Sequence, residues 1–182
     1  YPPTSPSMVH HIPRYIARSI VDRKKAVLVV IDGLSYSQWK IIKGSIELHP
    51  YHMRERSLFA WIPTLTTVSR QALLSGKIPL SIESFLHSTN REEKLWRIFW
   101  EDSGVESEKV FYQKLTGEKE ELDTLHDTFS GEPTVAAIII NKIDSIAHGQ
   151  KQGSSMMHKE IAYWAETIFF EAMLSVLFNY FD

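Results

Sequence analysis

The sequence contains no cysteine at all. Disulfides, thiolate metal sites and cysteine nucleophiles are therefore excluded, and the composition fits a reducing, cytoplasmic setting. Charge of one sign is also missing: 20 Lys and Arg face 22 Asp and Glu, a net charge of -2. Bulk electrostatic attraction to nucleic acid or to a membrane surface is thus not the main theme. No secretory leader is visible, because residues 1–7 are rich in Pro and Ser and lack a charged start and an apolar run. The most apolar stretch, residues 167–181, includes Glu171 and is shorter than the ~20 residues that span a bilayer. There are no internal repeats.

What is present is enough apolar material for a core: 43% hydrophobic residues and 12% aromatics in 182 residues. That length suits one domain, read here as an N-terminal extension and helix over 1–24 and a main domain over 25–182. The chain opens at Tyr1, and its first Met is Met8, so it is expected to be a piece of a longer protein.

Pro13 suits the first turn of a helix over 11–22. Ala26–Ile31 is a continuous β-branched run, the mark of a strand apolar on both faces inside a mostly parallel sheet. It ends at Asp32-Gly33, and Ser35 is placed to cap a helix to about Ile42. A strand is predicted over 56–61, a helix over 68–74 closed by Gly76, and an amphipathic helix over 91–102. A short strand over 109–112 and a strongly apolar strand over Val135–Ile140 follow. One long helix, apolar nearly all round, is predicted from Ser154 or Ser155 to the end. Alternating strands and helices predict an α/β fold: three layers, with a mostly parallel central sheet and helices on both faces. The two apolar runs should be its inner strands.

Ligands in such folds sit beyond the carboxyl ends of the strands, so three polar loops draw attention. Asp32 is either a turn residue or a hard oxygen ligand for a divalent cation. Thr66 stands near a helix N-terminus, where the dipole favours negative charge, and it is either an ordinary N-cap or a reactive hydroxyl. Arg70, about a turn later, either grips a phosphate bidentately or lies on the surface. Asp144 and His148, at i and i+4, could hold one metal or form a solvated pair. The pairs His10-His11 and His49/His52 read as ordinary residues, since neither follows a strand.

Taken together, three segments carry a resemblance: Val29-Val-Ile-Asp-Gly-Leu34, Pro63-Thr-Leu-Thr-Thr-Val-Ser-Arg-Gln-Ala-Leu-Leu-Ser-Gly76 and Ile139-Ile-Asn-Lys-Ile-Asp-Ser-Ile-Ala-His-Gly149. The chain resembles the alkaline phosphatase superfamily, and within it the PglZ-type domains of bacterial BREX phage-defence systems. The opening, Met8-Val-His-His-Ile-Pro-Arg-Tyr15, is similar to the type 3 branch. The resemblance implies an alkaline phosphatase-like fold and a two-metal site for phosphoryl or phosphodiester transfer. Asp32 and Thr66 would bind one divalent ion, and Asp144 and His148 the other. Zn²⁺ is the usual ion, with Mn²⁺ or Mg²⁺ as alternatives. Thr66 would be the catalytic nucleophile, and Arg70 matches the arginine of the sulfatase pattern. A sulfatase needs a Cys or Ser at the nucleophile position, so Thr66 favours phosphate chemistry. Expected substrates are phosphate esters, nucleotides or nucleic acid ends. Expected partners are other defence-system proteins, with no membrane.

The chain departs from the pattern in one respect. The superfamily supplies more ligands from a later Asp-His-Gly segment and a further His, but His158 is the only later His and Asp182 the only later Asp. The expectation is that those ligands lie beyond Asp182 and that this piece is nearly inactive by itself. The alternatives are a degenerate, inactive scaffold that binds partners in a defence complex, and a small-molecule phosphomonoesterase of the same superfamily.

Overall fold

Three six-residue strands carry the apolar runs: β1 (Ala26–Ile31), β2 (Val110–Leu115) and β3 (Val135–Ile140). The computed structural model describes residues 5–20, 25–46, 53–85, 89–149 and 154–181. The strands form one sheet in the order β1-β3-β2. Ala26 N–H donates to the Thr134 carbonyl and Asp32 N–H to that of Ile140, the same residue offset at both ends. Constant offset is the pairing of parallel strands. Helices flank this sheet, as the α/β reading requires.

β3 is inner, and all six of its residues are 0% exposed. β1 differs from expectation: it is an edge among the described strands, and each of its residues is only half-buried. A continuous apolar run reports cover on both faces of a strand; it says nothing about partners along both edges. The strand expected over 56–61 is reduced to a single parallel bridge between Phe59 and Met8. Phe59 is 75% exposed, so this segment has no buried face to hold a strand against.

Contacts divide the chain into two units. The first comprises residues 1–26, 54–112 and 133–136. It contains α1 (Ile12–Ser19), α3 (Thr66–Ser75) and α4 (Glu92–Asp102). Pro13 sits at the start of α1, as its missing N–H allows; residues 21–24, the expected end of that helix, lie outside the described residues. α4 buries Leu95, Trp96, Phe99 and Trp100, and Trp96 Nε1 donates to the Phe111 carbonyl at 2.8 Å. Gly76 closes α3 in the left-handed region at φ 64°. Arg14 of α1 donates to the Gly76 carbonyl. A Cβ on Gly76 would stand 2.8 Å from Phe99 Cε2, so glycine is required there for space as well as conformation.

The second unit comprises residues 27–53, 113–132 and 137–182. Its α2 (Tyr36–Ile46) opens with a capping box: Ser35 N–H donates to Gln38 Oε1 at 2.7 Å and Gln38 N–H to Ser35 Oγ at 3.4 Å. α5 (Leu122–Phe129) was not anticipated, and α6 (Lys142–Gly149) directly follows β3. The C-terminal helix runs as α7 (Ser154–Trp164), a π-helical stretch (Ala165–Leu174) and α8 (Ser175–Phe181). By length and composition Ser155–Phe181 could cross a membrane, but Ile161, Trp164, Ala165, Phe169, Met173 and Leu177 are buried within the protein. One side of the helix is thus packed into the protein, and 38% of its most apolar window is buried.

Candidate functional site

In the second unit the carboxyl ends of the three parallel strands open into short turns, and two of them press on the first turn of α6. After β1, Gly33 adopts φ 71°, and a Cβ there would lie 3.0 Å from both Cα and Cβ of Asp144. After β2, Gly117 adopts φ 90°, and its Cβ would lie 2.7 Å from Lys142 Cβ. The two missing side chains are what let the loops close on α6. Trp164 Nε1 donates to the Gly117 carbonyl at 2.8 Å, and Glu121 accepts from the Gly117 N–H at 2.9 Å. Lys142 Nζ pairs with Glu118 at 2.6 Å. The start of α6 is therefore fixed from several sides.

That fixed turn presents Asp144. Its carboxylate is 3.5 Å from His148 Nε2, and the two side chains are 40% and 81% exposed respectively. Placing Asp144 in the first turn and His148 in the last also suits the helix dipole. Asp32 directly follows β1, and its backbone continues the pairing with β3 through the Ile140 carbonyl at 2.9 Å. The Asp32-Gly33 turn and Asp144 thus meet at one place. Carboxylate oxygens and an imidazole nitrogen are suitable donors for Zn²⁺, Mn²⁺ or Mg²⁺. Among the described residues, no group of three or more His, Cys, Asp and Glu could hold a metal.

Thr66 and Arg70 belong to the first unit. Thr66 is exposed and is the first residue of α3, while Leu65 takes the N-cap position without a side-chain cap hydrogen bond. The Thr66 hydroxyl is therefore not occupied as the N-cap. Arg70 is only 6% exposed, so it is neither a surface arginine nor open to solvent. It pairs with Glu92, which is 0% exposed, and Tyr112 Oη donates to the same Glu92 oxygen at 2.7 Å. Burial, and then the Glu92 charge, push the Tyr112 phenol far above its ordinary range and keep it protonated. This network ties α3 to α4 and β2, and it makes Arg70 a support for the helix that carries Thr66.

Sequence reasoning missed Gly117 and Glu92. A Thr-Gly pair closing an apolar run was a usable signal for Gly117. Nothing in the spacing could have matched Glu92 with Arg70. The bland reading of His10 agrees with its setting: it is 8% exposed and accepts a hydrogen bond from Trp61 Nε1 at 3.2 Å. Burial first, then His11 and Arg14, lower its pKa below the ordinary 6.5. His49 and His52 lie outside the described residues.

The BREX system PglZ alkaline phosphatase-like domain matches residues 13–179 of this chain. No curated protein matches it. The match takes in all three strands, the helix begun by Thr66 and the turns that seat Asp144, and on that extent the chain belongs to the PglZ family of BREX alkaline phosphatase-like domains.

Proposed function

We propose that this chain is a metal-dependent phosphoryl- or phosphodiester-transfer domain acting in the cytoplasm alongside other proteins of a BREX defence system. The observation that carries the reading is the Asp32-Gly33 turn seated against Asp144, with His148 beside it, at the strand ends of a PglZ domain. Asp32, Asp144 and His148, together with the Thr66 hydroxyl, are the groups that would hold two divalent ions, Zn²⁺ first and Mn²⁺ or Mg²⁺ as alternatives. Bound ions would offset negative charge on the phosphoryl oxygens.

Thr66 is the nucleophile in this reading. Its oxygen forms a bond to phosphorus as the ester oxygen leaves and takes up a proton, and water then cleaves the phosphothreonine to regenerate the hydroxyl. The helix N-terminus beneath Thr66 favours the negative charge that develops there. Arg70 and Glu92 act by holding α3 in place. The substrate is a phosphate ester, a nucleotide or a nucleic acid end.

The test is hydrolysis of bis-nitrophenyl phosphate with added Zn²⁺ or Mn²⁺, read beside metal uptake. Thr66→Ala should abolish hydrolysis and leave uptake largely intact, and Asp144→Asn with His148→Ala should lower uptake at least tenfold. Catalytic zinc usually has three protein ligands, and each ion here is given two, so the 182-residue chain alone should turn over weakly. Robust activity that survives Thr66→Ala would overturn the assignment. The absence of a three-ligand group among the described residues supports a second reading, a scaffold with the same fold. Lack of both metal uptake and hydrolysis in a longer protein that retains an Asp-His pair downstream would favour it.

A further inference from the structure

The first unit holds a cavity of about 470 Å³ that none of the residues discussed above as metal ligands or nucleophile lines. It is within the size range of small-molecule sites. It lies at the far end of α3 from Thr66: Ser75, the last residue of that helix, lines it, and nine helical steps of ~1.5 Å put the two ends roughly 13 Å apart.

Its walls are of two kinds. Ile82, Leu95 and Phe99, all buried residues, form an apolar floor with one aromatic ring. Among the described residues, Arg14, Arg18 and Lys77 bring three cations to the wall, against Asp102 as the one carboxylate. Arg14 and Arg18 stand one turn apart on α1 and so project from the same face. Arg14 donates to the Gly76 carbonyl and lies 5.9 Å above the Phe99 ring. Arg18 and Lys77 are exposed. Ser81 and Ser103 add hydroxyls at the rim. An apolar floor, an excess of cations and a few hydroxyls match a ligand with a flat apolar body, hydrogen-bonding groups and an anionic end.

We propose that this cavity binds a nucleoside phosphate, with the base against Phe99 and Leu95 and the phosphate between Arg18 and Lys77. Guanidinium and ammonium groups serve phosphate in complementary ways, the first by paired hydrogen bonds and the second as a point charge. Asp102 is placed to accept from a ribose hydroxyl or an exocyclic amine. The site is independent of metal and of the proposed hydrolytic residues.

The test is calorimetric titration of the 182-residue chain with ADP in excess EDTA. Saturable binding is expected, weakened at least tenfold in an Arg18→Gln, Lys77→Gln double variant. These two exposed residues can be changed without disturbing the core, and circular dichroism would check the fold. Asp144→Asn should bind ADP as the parent does, which separates this site from the proposed metal centre. Inorganic pyrophosphate should bind at least tenfold more weakly than ADP. No binding at millimolar ADP, or binding untouched by the double variant, would overturn the proposal. Pyrophosphate binding as tightly as ADP would overturn it too, by showing that the apolar floor takes no part.

Discussion

Arg70–Glu92 and Asp144–His148 are both pairs of opposite character, and their settings differ sharply. Arg70 and Glu92 come from different helices, stand 22 residues apart in sequence, and are 6% and 0% exposed. Asp144 and His148 stand one turn apart on the same helix and are 40% and 81% exposed. Taking two charges out of water costs several kcal/mol each, so a buried pair persists only where partners hold it, and Tyr112 supplies one such partner. An exposed i,i+4 pair contributes little to stability. The buried pair therefore belongs to the architecture, and the exposed pair, fixed by the backbone beneath it, is the one left able to meet a ligand.

The largest effect should come from breaking the buried pair. Glu92→Gln leaves the Arg70 cation inside without its counter-charge, and chemical denaturation should show a loss of about 3–5 kcal/mol. An Arg70→Met, Glu92→Met double variant should lose less than the two single changes added together, and simple additivity would contradict a coupled pair.

Next in size is Gly33→Ala. It forces a side chain into the left-handed region and against Asp144, at a cost of about 1–3 kcal/mol. If Gly33 seats the proposed metal ligand, metal uptake should fall with stability, and unchanged uptake would separate the two.

The pH response sits in the first unit, at His10. His10 has its pKa lowered in the folded state, so the unfolded chain binds the proton more readily. The stability that neutral His10 contributes is present above 6.5, and it is lost as pH falls below that value through the depressed folded pKa. Urea denaturation at pH 7.5 and 5.5 should show the chain weaker at the lower pH, and His10→Gln should flatten that dependence. An equal slope in the variant would assign the response to other groups.

The smallest stability effect is expected at the exposed pair. Asp144→Asn and His148→Ala should each move the midpoint by no more than about 0.5 kcal/mol. A loss of several kcal/mol at either position would make this pair structural as well and erase the contrast.

Much of this architecture was legible in the sequence because the signals were local. β3 is an unbroken apolar run, Pro13 starts α1, Ser35 caps α2, and Gly76 ends α3. Asp32 and Asp144 drew attention by their place at the ends of such elements, and Thr66 by the resemblance of the stretch over 63–76 to the superfamily pattern. What was not legible depends on tertiary neighbours. Face burial and edge pairing look alike in β1, so its edge position was hidden. The burial of Arg70 depends on Glu92, and the need for Gly117 depends on Lys142, which is 25 residues later in the numbering.

The C-terminal helix shows a different kind of concealment. Drawn on an α-helical wheel, its apolar residues spread around the axis, yet Ile161, Ala165, Phe169, Met173 and Leu177 are all buried, at steps of four. An α-helix turns once in 3.6 residues, so a four-residue ladder drifts forward around it. A π-helix turns once in about 4.4 residues, so the same ladder drifts back. Joining α7, the π stretch and α8 cancels the two drifts and keeps the ladder on one side. The π stretch thus works as a phase corrector. Deleting a single residue from Ala165–Leu174 while the π winding is kept would swing α8 by roughly 80° and carry Leu177 out of the core, whereas an alanine at Glu166, on the exposed side, would leave the phase untouched.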